Sequence, residues 1–226
     1  MKSFVWLDEK GKRLTWWNRN YYFATTVLIV LLNIVLFAAW DKPRISIHSN
    51  WGQFSVVNLV QALINTYWHL TWQHVLLNML CCLIAGLYLE RKKGSLKFFL
   101  FVIIMSLFTA FATCTNDVSL GWTGFSAMNF GLYGYIIVEF IFVLLQKEKR
   151  YLFNLIAGGV IIALIYFAMC FSGGTARVTF EWYPYDLLHN LGHASGFVAG
   201  LLFGLYEQIC HLISKAKPRS ENKTEQ

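Results

Sequence analysis

The stretch Gly121-Trp-Thr-Gly-Phe-Ser-Ala-Met-Asn-Phe-Gly-Leu-Tyr-Gly134 places a hydroxyl, that of Ser126, at the start of an apolar helix directly after a glycine-rich loop. Small residues surround this serine, namely Gly124, Ala127, Gly131 and Gly134. A membrane interior disfavours unpaired polar groups, whereas small residues let two membrane helices approach closely. The stretch therefore indicates either a packing seam between helices or a serine that does chemistry.

Composition places the chain in a membrane. Of its 226 residues, 57% are hydrophobic and 14% are charged, and the mean hydropathy is +0.48. These values exclude an ordinary soluble globular domain. A spanning helix needs about 20 apolar residues to cross roughly 30 Å of hydrocarbon. Runs without Asp, Glu, Lys or Arg that can supply such helices cover residues 20–40, 45–89, 98–116, 118–138, 151–176 and 187–206.

The second of these runs is too long for one helix, and its first part mixes apolar residues with Asn and Gln. We divide it into an amphipathic segment over residues 45–65, lying in the outer leaflet, and a helix over residues 67–89. The sequence thus predicts an all-α membrane protein, a six-transmembrane-helix bundle. Residues 20–214 form its membrane domain, flanked by tails at residues 1–19 and 215–226.

Basic residues collect on one side of the six predicted helices. The formal net charge is +7, and all 19 Lys and Arg residues except Lys42, Arg44 and Arg177 fall in the two tails or in loops on the same side as the tails. The positive-inside rule then predicts that both termini are cytoplasmic. Topology accounts for the basic charge, so we expect a lipid bilayer and no nucleic acid as partner. The short loops indicate a plasma (inner) membrane.

Three of the predicted helices carry polar groups at one depth, about two turns below the outer surface. Ser126 opens the fourth helix and His193 lies in the sixth, whereas His74 and Asn78 belong to the second. The last two are four residues apart, about 40° around a helix, so that they share a face. His69 lies five residues before His74, about 140° away, and is expected to face elsewhere.

These groups have the chemistry of acyl transfer. A serine hydroxyl becomes nucleophilic when a neighbouring imidazole takes its proton, which makes Ser126 and His193 a candidate dyad. The His74 imidazole, the Asn78 amide and the Ser126 backbone N–H are the available donors for an oxyanion. A carboxylate to complete a triad is not in reach. Glu139 lies about 20 Å further along the fourth helix, where we expect it to be solvated.

A glycine repeat predicts which helices pack together. The sixth predicted helix has a glycine at every fourth position, at Gly192, Gly196, Gly200 and Gly204. Such a stripe, on the side of the helix that carries His193, lets another backbone approach closely. The small residues of the fourth helix make it the expected partner.

Each of these polar residues also has a structural interpretation. An intramembrane histidine is often a hydrogen-bonded structural group, and Asn78 could simply bridge two helices. His189, four residues before His193, could form a metal-binding pair with it. For His69 and His189 the structural role is the favoured interpretation.

Three motifs together resemble those of the rhomboid intramembrane serine proteases. They are His69-x4-His74-x3-Asn78 in the second predicted helix, Gly124-x-Ser126 opening the fourth, and Gly192-His193-x2-Gly196-x3-Gly200 in the sixth. The motif Glu90-Arg91-x2-Gly94 follows the second helix and adds to the resemblance, which covers about residues 20–210.

The resemblance implies roles for these residues. Ser126 would be the nucleophile, and His193 the general base and then the general acid. It also implies an oxyanion hole formed by His74, Asn78 and the Ser126 N–H. The residues expected to support this site are His69, Gly124 and Phe130. Residues 45–65 would form a membrane-embedded first loop. The fifth helix and the loop after it would gate lateral entry of the substrate.

Three positions depart from the family pattern. Ala127 follows the serine where the family usually has glycine, which adds a methyl group near the oxyanion hole. Phe130 stands where many members have a tyrosine, so a ring under His193 is kept without its hydroxyl. In the first loop, Val60-Gln61 lies near the usual place of a tryptophan-arginine pair.

We therefore expect a serine endopeptidase that cleaves transmembrane protein substrates within or beside a spanning helix, with its active site on the outer side. No metal or cofactor is expected. Ala127 motivates a second hypothesis, a non-catalytic rhomboid-like protein that binds membrane clients. A third hypothesis is a small transporter or metal protein built on His69, His74, His189 and His193.

Overall fold

Helices account for all the regular structure in the part of the chain that the computed structural model describes, which is residues 23–39, 55–69, 71–114, 124–145 and 191–216 with the single positions 156, 159, 160 and 163. The helices are α1 (Ala24–Ala39), α2 (Val56–Thr66), α3 (Trp72–Lys93), α4 (Ser95–Cys114), α5 (Ser126–Leu145) and α6 (Leu191–Ala216). Helices α3 to α6 are each long and apolar enough to cross a membrane. The prediction of an all-α, multi-pass membrane protein is confirmed.

Several predicted segments lie outside the described residues. These are the fifth predicted helix apart from single positions, the loop after it with His189, the first-loop residues 45–54, the whole tail at residues 1–19 and most of the tail at residues 215–226. Residues 56–65 of the predicted outer segment lie in the short apolar helix α2, which ends at Thr66. Ser55 caps it, since its side chain accepts the backbone N–H of Asn58 at 3.0 Å.

A carboxylate at the end of α3 caps the amino terminus of α1. Glu90 is fully buried, and its oxygens accept the backbone N–H of Thr25 at 2.8 Å and of Thr26 at 2.7 Å. The Ser95 hydroxyl donates to the same carboxylate. The first N–H groups of a helix have no partner within it and carry partial positive charge. Glu90 therefore finds compensation for its burial and ties α1 to the corner between α3 and α4.

Helices α5 and α6 have the most extensive packing contact of any two helices in the described fold. A Cβ added at Gly196 would collide with the backbone oxygen of Ala127, and one added at Gly200 with that of Gly131. The two backbones thus touch with no side chain between them, which only small residues permit. The predicted glycine seam between the fourth and sixth predicted helices is confirmed. It brings the starts of α5 and α6 together.

The prediction that Glu139 is solvated is wrong. This side chain on α5 is buried, and its carboxylate accepts hydrogen bonds from the Tyr88 hydroxyl at 3.0 Å and from the Lys92 ammonium at 2.5 Å. Both partners lie on α3. Position along one helix could not reveal them, because a charge is buried only when a neighbouring element supplies its partner.

A second ion pair lies at the same level. The Lys93 ammonium at the end of α3 lies 2.5 Å from the Glu207 carboxylate on α6, and the Tyr135 hydroxyl of α5 donates to that carboxylate. We call this set the ionic end of the bundle; it consists of Tyr88, Lys92, Lys93, Tyr135, Glu139 and Glu207. It joins α3, α5 and α6 through charged and phenolic groups.

Candidate active site

A tight turn delivers Ser126 to the first position of α5. Gly124 has φ 113°, a conformation that residues with a side chain rarely adopt. Space imposes the same choice, because a Cβ at Gly124 would lie 2.8 Å from Nε2 of His74. The next residue, Phe125, is fully buried and anchors the turn. The turn thereby places the serine hydroxyl at the N-terminal end of α5, which packs on α6.

The structure brings Ser126 and His193 into hydrogen-bonding contact. Nε2 of His193 on α6 lies 2.7 Å from Oγ of Ser126. The hydroxyl donates to this nitrogen when the imidazole is neutral and carries its proton on Nδ1. Phe130 stacks on the imidazole, with ring centroids 4.4 Å apart and planes 23° from parallel. The glycine seam sets the distance between the two side chains, and the stacking sets the orientation of the ring.

His74 and Asn78 converge on the same turn from α3. The point that a Gly124 Cβ would occupy lies 2.8 Å from His74 Nε2 and 3.3 Å from Asn78 Nδ2. Their predicted common face is therefore confirmed. Two side-chain nitrogens thus lie beside the glycine that precedes Ser126 by two residues.

His69 does not face away from this cluster, contrary to the prediction. Its ring centroid lies 5.1 Å from that of His74, and its Nε2 accepts the backbone N–H of Phe125 at 3.3 Å. The helical angle did not apply, because α3 begins only at Trp72 and His69 belongs to the connector before it. Burial, reinforced by His74, lowers the pKa of His69 to about 3. The imidazole is therefore neutral at physiological pH and can accept a hydrogen bond.

The last turn of α2 and the connector after it hold the turn before Ser126. The backbone oxygen of Asn65 in α2 accepts the N–H of Gly124 at 2.9 Å, and His69 in the connector accepts the N–H of Phe125, so that this segment satisfies two consecutive N–H groups of the turn. The Tyr67 hydroxyl lies 2.9 Å from the Ser106 hydroxyl of α4. The turn is thus fixed by hydrogen bonds to a separate segment and not only by its own sequence.

Sequence reasoning missed one residue of this cluster, Asn129 on α5. Its side chain is buried, and Nδ2 donates to the backbone oxygen of Asn78 at 2.9 Å and to Oδ1 of Asn78 at 3.2 Å. The signal was present, since a polar residue three positions after Ser126 in a spanning helix lies on nearly the same side as the serine.

The histidines do not form a metal site in the described residues. No group of three or more His, Cys, Asp or Glu side chains there is close enough to hold a metal ion. His69 and His74 are adjacent, but His69 Nε2 is engaged with a backbone N–H. His189 lies outside the described residues.

Most of the chain, including the helices that carry this site, is similar to known proteins. Residues 56–208 match the model of a family described as the rhomboid domain. The chain is also similar to a protein named Rhomboid protease GlpG from Haemophilus influenzae, with 26% identity over 144 residues, which are 63% of this chain and 67% of that protein. The family match runs from the start of α2 into α6 and includes both Ser126 and His193.

Proposed function

The chain belongs to the rhomboid family, and from this premise we propose that it is an intramembrane serine endopeptidase. It hydrolyses peptide bonds within or next to transmembrane segments of membrane-protein substrates. The observation that carries the proposal is the 2.7 Å contact between Ser126 Oγ and His193 Nε2. A second support for the proposal is that the similar Haemophilus influenzae protein is named a protease.

The dyad can perform both halves of the hydrolysis. Ser126 Oγ attacks the carbonyl carbon of the scissile bond while His193 Nε2 takes the hydroxyl proton. The C–N bond then breaks as His193 returns that proton to the leaving nitrogen, which leaves an acyl ester on Ser126. A water molecule attacks the ester, and His193 takes a proton from it. The ester breaks to release a carboxylic acid and restore the serine hydroxyl.

The oxyanion formed in each half needs hydrogen-bond donors. His74 Nε2, Asn78 Nδ2 and the backbone N–H of Ser126 serve this role, and the proximity of both side-chain nitrogens to Gly124 supports it. Loss of a single donor of this kind costs about 10²–10³-fold in rate. Gly124 leaves the space that these nitrogens require, His69 fixes the turn, and Phe130 orients the base. The reaction needs no metal or cofactor.

The membrane arrangement forms part of the same proposal. Six helices span the plasma membrane within a domain of residues 20–214, and the tails at residues 1–19 and 215–226 are cytoplasmic. The active site opens to the outer side. Helix α2 belongs to a membrane-embedded first loop, which is supported by the exposure of its apolar face, made of Val56, Val57, Val60 and Ile64. The fifth predicted helix, over residues 151–171, and the loop after it gate lateral substrate entry.

A fluorophosphonate probe tests the dyad directly. The purified full chain in detergent should be labelled, and Ser126→Ala and His193→Ala should each lose labelling and cleavage of a model transmembrane substrate by at least about 10³-fold. Ser195→Ala is the matched control. Its buried hydroxyl donates to the Gly192 carbonyl in the same helix, so this variant should keep the parent rate within about threefold.

The result also decides between two functions. If Ser126→Ala cleaves the substrate as fast as the parent, the endopeptidase proposal is wrong. A folded parent that the probe does not label would favour a non-catalytic rhomboid-like protein that binds membrane clients. The buried Ala127 side chain next to the serine, where the family usually has glycine, is the observation that favours this alternative.

A further inference from the structure

Asn129 links the helix of the serine to that of Asn78. It lies one turn after Ser126 on α5, and only 3% of its surface is exposed. Its amide nitrogen donates to two oxygens of Asn78, the backbone oxygen at 2.9 Å and the side-chain Oδ1 at 3.2 Å. One side chain of α5 thus contacts both the backbone and the side chain of a residue on α3.

These two contacts determine which way the Asn78 amide points. A backbone carbonyl can only accept a hydrogen bond, so the Asn129 atom that faces it must be the NH₂ group. The second hydrogen of that group faces the end of the Asn78 side chain, which must also accept and must therefore be Oδ1. The other end of the Asn78 amide is then the NH₂ group, and it points towards Gly124. Without Asn129, the Asn78 amide could turn over and present an oxygen there.

The second polar atom of Asn129 indicates that this amide is not present for stability alone. Its Oδ1 is buried and has no hydrogen-bond partner among the described residues. An unpaired buried acceptor destabilises a fold, and an apolar residue of the same shape avoids this cost. Buried polar groups of this kind in native proteins call for an explanation other than packing.

We propose that Asn129 is a positioning residue that holds Asn78 Nδ2 towards the oxyanion formed on attack by Ser126. This inference rests on the proposed function and deepens it. Asn129 does not touch the substrate; it acts by preventing the Asn78 amide from presenting Oδ1, whose partial negative charge would repel the oxyanion. Its effect should therefore appear in the transition state and not in substrate binding.

The test replaces Asn129 by leucine, which has nearly the same shape and no donor. In the full chain in detergent, Asn129→Leu should lower kcat for a model transmembrane substrate and the rate of fluorophosphonate labelling by about tenfold, with KM within twofold of the parent. Its midpoint of thermal unfolding should change little, because the loss of the two hydrogen bonds to Asn78 is offset by the removal of an unpaired buried oxygen. A residue that served only the fold would show the reverse pattern.

A double-variant cycle identifies Asn78 as the route of the effect. The double variant Asn78→Ala and Asn129→Leu should be no slower than Asn78→Ala alone, because there is no amide left to orient. Asn33→Leu is the matched control. Asn33 is another buried amide, on α1, whose Nδ2 donates to its own helix at Ile29 and whose Oδ1 has no partner among the described residues. This control should keep the parent activity.

Two outcomes would overturn the role of Asn129 while leaving the dyad intact. One is that Asn129→Leu reacts at a rate within twofold of the parent. The other is that the double variant is slower than Asn78→Ala by the same factor by which Asn129→Leu is slower than the parent. A parent that fails to react, or reacts as fast as Ser126→Ala, overturns the proposed function itself and this inference with it. The Ser126→Ala sample in the same experiment distinguishes the two kinds of failure.

Discussion

Polar side chains join α3, α5 and α6 at two levels roughly 20 Å apart, and the two levels have opposite chemistry. At the ionic end, Lys92 pairs with Glu139 and Lys93 pairs with Glu207. We call the other level the serine end; it consists of His74, Asn78, Ser126, Asn129 and His193. It contains hydroxyl, imidazole and amide groups and no carboxylate or ammonium.

The two levels therefore have different roles: the ionic end holds the helices together, and the serine end can transfer a proton. Each charge at the ionic end is compensated, and the Lys93 ammonium also lies 3.9 Å from the centre of the Tyr135 ring. Such pairs hold helices together through their opposite charges. The hydroxyl and imidazole groups of the serine end can each act as donor or as acceptor, which the transfer of a proton requires. Changes at the ionic end should therefore affect stability, and changes at the serine end should affect reaction rate.

The largest effect expected outside the dyad itself comes from the glycine seam at the serine end. Gly196→Ala places a methyl group against the Ala127 backbone oxygen, so α5 and α6 must separate beside the dyad. We expect the fluorophosphonate labelling rate of the folded protein to fall about 100-fold, the cost typical of a 1 Å displacement of catalytic groups. Gly204→Ala near the ionic end is the matched change. Its Cβ meets the Val138 side chain first, and it should lose less than about threefold.

A smaller effect, on stability, is expected at the ionic end. Lys92→Met leaves the buried Glu139 carboxylate without its counter-ion and should lower the free energy of unfolding by about 2–3 kcal/mol. This is less than for a fully buried pair, because the Lys92 side chain is 37% exposed. Chemical unfolding in mixed micelles measures the change, and labelling of the folded fraction should stay within twofold.

The partner variant completes this comparison. Adding Glu139→Leu to Lys92→Met removes the uncompensated charge and should recover at least half of the lost stability. If Lys92→Met instead slows labelling as strongly as it destabilises, the two levels are not separable and the proposed division of roles is wrong.

The smallest effect, taken over the first pH unit below 6.5, is a pH dependence that arises beside the serine end. His69 has a folded-state pKa of about 3 against an ordinary value of 6.5. Its contribution to stability is therefore complete above pH 6.5 and is lost as the pH falls from 6.5 towards 3, by about 1.4 kcal/mol per pH unit. In His69→Gln an amide oxygen can accept the Phe125 N–H without titrating. The unfolding free energy of this variant should fall less steeply over that range; parallel curves for the two proteins would contradict the assignment.

Much of the fold could be predicted because its signals are local. Apolar runs of spanning length identify membrane helices without knowledge of what they contact, and four of those predicted correspond to α3 to α6. The glycine repeat of α6 predicted its partner, since only small residues allow backbones to touch. Polar groups at one depth in separate apolar helices, together with the family motifs, selected Ser126 and His193, which the structure places 2.7 Å apart.

Contacts near a helix end could not be predicted in this way. The angle between His69 and His74 was calculated for a helix that in fact begins at Trp72. The rotation of about 100° per residue holds only within a helix, so it does not give the direction of a side chain that precedes the first turn. The burial of Glu139 was missed for a related reason, because its partners Tyr88 and Lys92 belong to another helix.

The sequence by itself determined the class of the protein, the helices that carry polar groups and the pair that packs through glycine, because hydropathy and residue size repeat along the chain. Only the tertiary structure decided how those polar groups are paired. It put His69 against the turn before Ser126, Asn129 against Asn78, and Glu90 at the start of α1. Hydrogen-bonded atoms must approach to about 3 Å, so these contacts depend on which residues, distant in the sequence, reach the same level.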